Sequence, residues 1–80
     1  MKLYVGNLAY TVTDVELRQA FAEFGDVRSA RVIYDRETAR SRGYGFVELE
    51  PDAAAADAID ALQGRALMGR NLRISRANER

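Results

Sequence analysis

The sequence predicts an α+β fold: a four-stranded antiparallel sheet in the order β-α-β-β-α-β, with two helices packed together on one of its faces. Three observations point to it. Four short runs are rich in β-branched and aromatic residues, two amphipathic stretches lie after the first and third of these runs, and the second and third runs are separated only by a short polar loop.

The first run is Leu3-Tyr4-Val5-Gly6-Asn7-Leu8. A helix begins at Thr13, whose hydroxyl suits an N-cap, with Glu16 three residues on to complete a capping box. Leu17, Ala20, Phe21 and Phe24 recur at helical spacing and form one apolar stripe, while Arg18, Gln19 and Glu23 face away. Gly25 is placed to end this helix as a left-handed C′ residue. The second strand is expected over 27–35, where Ala30 and Val32 alternate with Arg31 and Ile33, followed by a polar loop over 36–41. The third strand is expected over 43–49. Pro51 suits the first turn of the second helix, with Glu50 as its cap, and Ala55, Ala58, Ile59 and Leu62 form the buried face up to Gly64. Ala53 to Ala56 reads as helix-forming sequence that lets the helix lie close to a sheet. The fourth strand is expected over 71–76, with Leu72 and Ile74 on one face and Arg73 and Ser75 on the other.

This order is the ferredoxin-like split βαβ arrangement. Its crossovers are right-handed, so both helices cover the same side of the sheet. The other side is left to solvent, and strand alternation says what stands there. Leu3 and Val5 suit the core, which turns Lys2, Tyr4 and Gly6 outward. Val47 and Leu49 suit the core, which turns Arg42, Tyr44, Phe46 and Glu48 outward. Arg31 and Ile33 join them from the second strand, Arg73 and Ser75 from the fourth. Three aromatic rings bordered by arginines thus occupy a wet sheet face, a chemistry suited to stacking unpaired bases and meeting their phosphates. Gly43 and Gly45 flank Tyr44 and relieve crowding around the rings, or meet a backbone need of the strand. Phe21, Phe24, Tyr10 and Tyr34 are assigned to the core.

Composition bounds the alternatives. Eighty residues make one domain, and 48% hydrophobic with 30% charged residues is a globular balance. Without Cys or His there are no disulfides, no thiolate or imidazole metal ligands and no nucleophile–base pairs built on those side chains. No run approaches membrane-spanning length, and a soluble, monomeric, cytoplasmic protein without cofactor is expected. Twelve basic and twelve acidic residues give no net charge, which argues mildly against a nucleic-acid partner. The distribution answers this: Asp14, Glu16, Glu23, Asp52, Asp57 and Asp60 fall on the helices, whereas Arg31, Arg36, Arg40, Arg42, Arg73, Arg76 and Arg80 fall on the sheet, its loop or the tail. Asp35, Glu37, Glu48 and Glu79 dilute the positive side, so affinity is expected to be modest.

At Arg42-Gly43-Tyr44-Gly45-Phe46-Val47-Glu48-Leu49 the chain resembles the RNP1 motif of the RNA recognition motif family, K/R-G-F/Y-G/A-F-V-x-F/Y, departing only where Leu49 replaces an aromatic. Leu3-Tyr4-Val5-Gly6-Asn7-Leu8 resembles the companion RNP2 motif. The resemblance covers essentially the whole chain as a single domain, 1–80, and is closest to small single-module RNA-binding proteins of bacteria and to modules of glycine-rich plant proteins. It implies binding of single-stranded RNA, with Tyr4 and Phe46 stacking neighbouring bases, Tyr44 packing against the sugars between them and Arg42 pairing with phosphate. Arg73, Ser75 and Asn78 would contact bases, and Lys2, Arg31 and Ile33 complete the expected interface. Ala39 stands in the loop where relatives often carry Gly, which predicts a stiffer or differently shaped loop.

Two further readings stand beside this one. Some domains of this type bind proteins, through the sheet or through Ala- and Leu-rich helical surfaces, so a protein partner on the helical face is an alternative. Single-stranded DNA is the other, because stacking barely senses the 2′-hydroxyl. An enzyme on the same fold is not expected: no Gly-rich phosphate cradle with a catalytic Arg–Asn pair and no carboxylate pair in a cleft is evident.

Overall fold

Helix α1 (Asp14–Ala22) starts where the capping box places it. The Glu16 amide donates to the Thr13 hydroxyl at 3.4 Å and the Thr13 amide donates to the Glu16 carboxylate at 2.8 Å, so two amides at the helix start find acceptors locally. Leu17 and Phe21 are fully buried, and Ala20 and Phe24 pack half-buried beside them. The computed structural model describes residues 1–77 of the chain. In chain order its elements are β1 (Lys2–Gly6), α1, β2 (Asp26–Tyr34), β3 (Ser41–Glu50), α2 (Asp52–Leu62), β4 (Ala66–Leu67), β5 (Arg70–Asn71) and β6 (Arg73–Arg76). The main sheet is antiparallel with strand order β2-β3-β1-β6, and the helices cover one side of it, as the sequence pattern predicts. The core between sheet and helices is built from Leu3, Val5, Val47 and Leu49 of the central strands, Leu17 and Phe21 of α1, and Ala55, Ala58 and Leu62 of α2.

Four local expectations are corrected. Gly25 has no positive φ, and α1 closes on Glu23 in a right-handed conformation. The glycine is needed for close packing: a Cβ there would stand 2.6 Å from the Glu50 carbonyl oxygen and 2.7 Å from the Ala54 Cβ. Glu50 does not cap α2; it is still paired in β3, opposite Asp26, and Pro51 is the N-cap with no side-chain hydrogen bond. The fourth strand of the main sheet begins at Arg73, not at residue 71. Residues 66–71 form a separate hairpin whose turn residues, Met68 at φ 51° and Gly69 at φ 89°, both take the left-handed region that a two-residue type I′ turn demands. Finally, Tyr10 and Tyr34 are not core: 70% of the first and 44% of the second is exposed, whereas Leu8 and Val12, two positions to either side of Tyr10, are buried.

Side chains cover the backbone of both outer strands. The Val32 amide of β2 donates to the Asp14 carboxylate at 2.7 Å, and the Arg18 guanidinium donates to the Val27 carbonyl at 2.8 Å. On β6 the Gln63 side-chain amide pairs with both backbone groups of Ile74, donating to its carbonyl at 2.5 Å and accepting from its N–H at 2.8 Å. These contacts give partners to backbone groups of the edge strands that flank the open face.

Candidate nucleic-acid interface

The register of the four strands sets the open face out in rows. Arg31 lies opposite Phe46, Phe46 opposite Tyr4, and Tyr4 opposite Ser75, so one row crosses the whole sheet from edge to edge. At the usual inter-strand spacing it spans about 14 Å. A second row runs from Tyr44 through Gly6 to Arg73, and a third sets Lys2 opposite Glu48. Ile33 is half-buried beside this array, in a break of register between Val32 and Tyr34, with no direct Cα partner on β3.

The three rings meet as a cluster. The centroids of Tyr4 and Tyr44 are 5.8 Å apart, and each lies 6.0 Å from that of Phe46, with edge-on geometry at Phe46. Such contacts hold each ring in place while leaving part of it to solvent, and all three side chains are half-buried. Lys2 places its ammonium 4.9 Å from the Phe46 centroid, which ties a cation to the same array. Arg31, Arg42, Arg73 and Ser75 are exposed around it. Asn78, assigned to the interface from the sequence, lies outside the described residues.

Glycines shape this face for different reasons. Gly45 is buried, and a Cβ there would collide with the Arg31 carbonyl oxygen and stand 3.1 Å from the Val32 Cα, so its absence lets β2 approach β3. Gly43 takes φ 82°, beside the ring of Tyr10. Gly6 makes room for the ring of Tyr4, a contact that motif reading did not single out. Asn7, also passed over, holds φ 58° and links the end of β1 to the hairpin: its Nδ2 donates to the Asn71 carbonyl and its Oδ1 accepts from Arg70, both at 2.7 Å. Asn is among the few residues other than Gly that enter the left-handed region readily, and this was the available signal in the sequence.

Among the described residues, no group of three or more acidic, His or Cys side chains is disposed to hold a metal ion, and no helix is long and apolar enough to cross a membrane.

Comparison with known proteins agrees with the architecture. The chain is 50% identical to "Putative RNA-binding protein RbpA" of a Synechocystis strain over 80 residues, all of this chain and 79% of that protein. The crystal structure of RNA Binding Protein PG1 superposes with a TM-score of 0.96 at 49% identity, covering 100% of this chain and 96% of that one. The structure of an Sxl-lethal protein/RNA complex superposes with a TM-score of 0.89 at 33% identity over 95% of this chain and 47% of that one. The sequence model of the RNA recognition motif family matches residues 3–73, and the chain belongs to that family.

Proposed function

We propose that the protein binds single-stranded RNA across the open face of its sheet. The observation that carries this reading is the ring cluster of Tyr4, Tyr44 and Phe46, held at 5.8–6.0 Å on the side away from the helices and crossed by the row from Arg31 to Ser75. Tyr4 stacks one base and Phe46 its neighbour, while Tyr44 packs against the sugars between them. Arg42 meets phosphate, Lys2 adds positive charge at Phe46, and Arg73 and Ser75 reach base edges beside Tyr4. Family membership and the RNA binding for which similar proteins are named support the reading.

The test separates the face from the core. Phe46→Ala is expected to weaken binding of a short single-stranded RNA by about 1–3 kcal/mol, the worth of one stacked base. Phe21, fully buried on α1, makes the opposite case: its replacement by Ala should destabilise the fold by about 3–5 kcal/mol. Both are read by denaturant unfolding and by titration with the RNA. A Phe46→Ala protein that stays folded and binds as well as the parent removes the ring face from the site.

A further inference from the structure

Lys2 and Glu48 stand directly opposite each other on β1 and β3, in the row of the open face next to that of Phe46. Glu48 is two residues from Phe46 on the same face of β3, about 7 Å along the strand, and Lys2 holds its ammonium 4.9 Å from the centroid of the Phe46 ring. Both side chains are half-buried, yet among the described residues they do not close on each other as an ion pair, and Glu48 has no other cationic partner. Two neighbouring carboxylates differ in this respect: Asp26 lies 3.2 Å from the Arg28 guanidinium and Asp52 lies 3.5 Å from the Met1 ammonium. Lys2 and Glu48 also border an open cleft of about 530 Å3 at this end of the sheet, so their polar ends are accessible.

We infer that the Lys2–Glu48 pair selects guanine for the base stacked on Phe46. The inference rests on the RNA-binding reading above and names the base that this site prefers. An ammonium only donates hydrogen bonds, and an ionised carboxylate only accepts them, through two oxygens. The pair therefore offers one donor beside two acceptors. The Watson–Crick edge of guanine is its complement, with the O6 acceptor followed by the N1–H and N2–H donors. Lys2 meets O6, and the Glu48 oxygens take N1–H and N2–H as a bidentate pair. Uracil sets a single N–H between two carbonyls, and cytosine and adenine each place an unprotonated ring nitrogen beside their amine. Each of these three turns at least one lone pair toward a Glu48 oxygen and leaves that half-buried acceptor unpaired. A base that covers Phe46 also displaces the Lys2 ammonium from the ring, which frees it for the edge of that base.

The experiment titrates the 80-residue chain and its variants with uracil pentamers that carry guanine, inosine, adenine, cytosine or uracil at the centre. The parent is expected to bind the guanine pentamer about tenfold more tightly than those with adenine, cytosine or uracil. Inosine keeps N1–H and lacks the 2-amino group, and should bind about threefold more weakly than guanine. In Glu48→Gln the preference for guanine over uracil should fall to about twofold or less, with guanine and inosine bound alike. Equal affinity of the parent for all five pentamers, while Phe46→Ala weakens all of them, overturns the choice of guanine and leaves the sheet reading intact. Equal affinity of the parent for guanine and inosine also overturns it, and this comparison needs no variant to fold. If Glu48→Gln tightens every pentamer by the same factor and keeps the preference, the carboxylate only repels phosphate, and its role as reader is overturned. If the parent binds none of the pentamers, or Phe46→Ala binds them as well as the parent, the sheet reading fails and the base choice with it.

Discussion

The ring of Tyr4 occupies the space where a side chain at Gly6 would begin: a Cβ there would lie 2.7 Å from the Tyr4 hydroxyl and 2.8 Å from its Cε2. The two residues share one face of β1, two positions apart, and the atoms in conflict are the far end of a side chain that is free to move. Gly6→Ala should therefore fold with stability within about 1 kcal/mol of the parent, since a Gly-to-Ala change also restricts the unfolded chain. The Tyr4 ring must shift, and affinity for a short single-stranded RNA should fall, by at most about the 1–3 kcal/mol of one stacked base. Unchanged affinity, with the Tyr4 ring resonances displaced, would show that the position of this ring does not matter to binding.

Gly45→Ala should do the reverse. The atoms that its Cβ would meet are the Arg31 carbonyl and the Val32 Cα, all backbone of β2, so a strand has to move rather than a ring. Overpacking of this kind costs about 1–3 kcal/mol. The measurement is the denaturant midpoint, with the slope of the transition unchanged. A Gly45→Ala protein as stable as the parent would mean that β2 and β3 do not approach so closely.

These two glycines also show how far the sequence could be read. Alternation along β1 and β3 was enough to assign Tyr4, Tyr44 and Phe46 to one face, because a one-residue slip would have exposed Leu3, Val5, Val47 and Leu49, all of them fully buried. The capping box of α1 and the end of α2 at Gly64, φ 76°, were legible for the same reason: each depends only on neighbours in sequence. What was not legible depends on partners far along the chain. Gly25 looks like a helix stop until Glu50 and Ala54 are brought against it, and nothing near Gln63 announces that its amide will pair with Ile74. Tyr10 and Tyr34 were assigned inward because aromatics usually are, but Leu8 and Val12 fill the core at that end. The short β4–β5 hairpin has no counterpart in the sequence reading, apart from Asn71 at the start of the expected last strand, because a Met-Gly turn carries a weaker signal than Asn-Gly.

Ala39 offers a stabilising substitution. It holds φ 60° in the loop between β2 and β3, where its amide donates to the Asp35 carbonyl at 2.9 Å. A non-glycine residue in the left-handed region costs about 1–2 kcal/mol. Glycine relieves this and loses about 0.4–1 kcal/mol of the gain through the freer unfolded chain. Ala39→Gly should raise stability by about 0.5–1 kcal/mol, read as an increased denaturant midpoint. A decrease would mean that the alanine side chain makes contacts worth more than the strain.

Acid should loosen the same loop through Asp35. Its carboxylate accepts N–H bonds from Thr38 at 3.2 Å and Glu37 at 2.8 Å, and these, with the charge of Arg42, hold its pKa below the ordinary 3.8. A carboxylate whose pKa is lower in the folded state than in the unfolded one binds protons less readily when folded, so its contribution to stability is complete above the unfolded value. That contribution fades as pH drops below about 4 and is gone once the folded group has also protonated. The amide resonances of Glu37 and Thr38 should therefore move together in an acid titration, with a midpoint below 3.8. Asp35→Ala should abolish that step while leaving the amides of the central strands unmoved. If the two amides in the parent titrate above 3.8, or if they titrate identically in Asp35→Ala, this carboxylate is not what holds the loop.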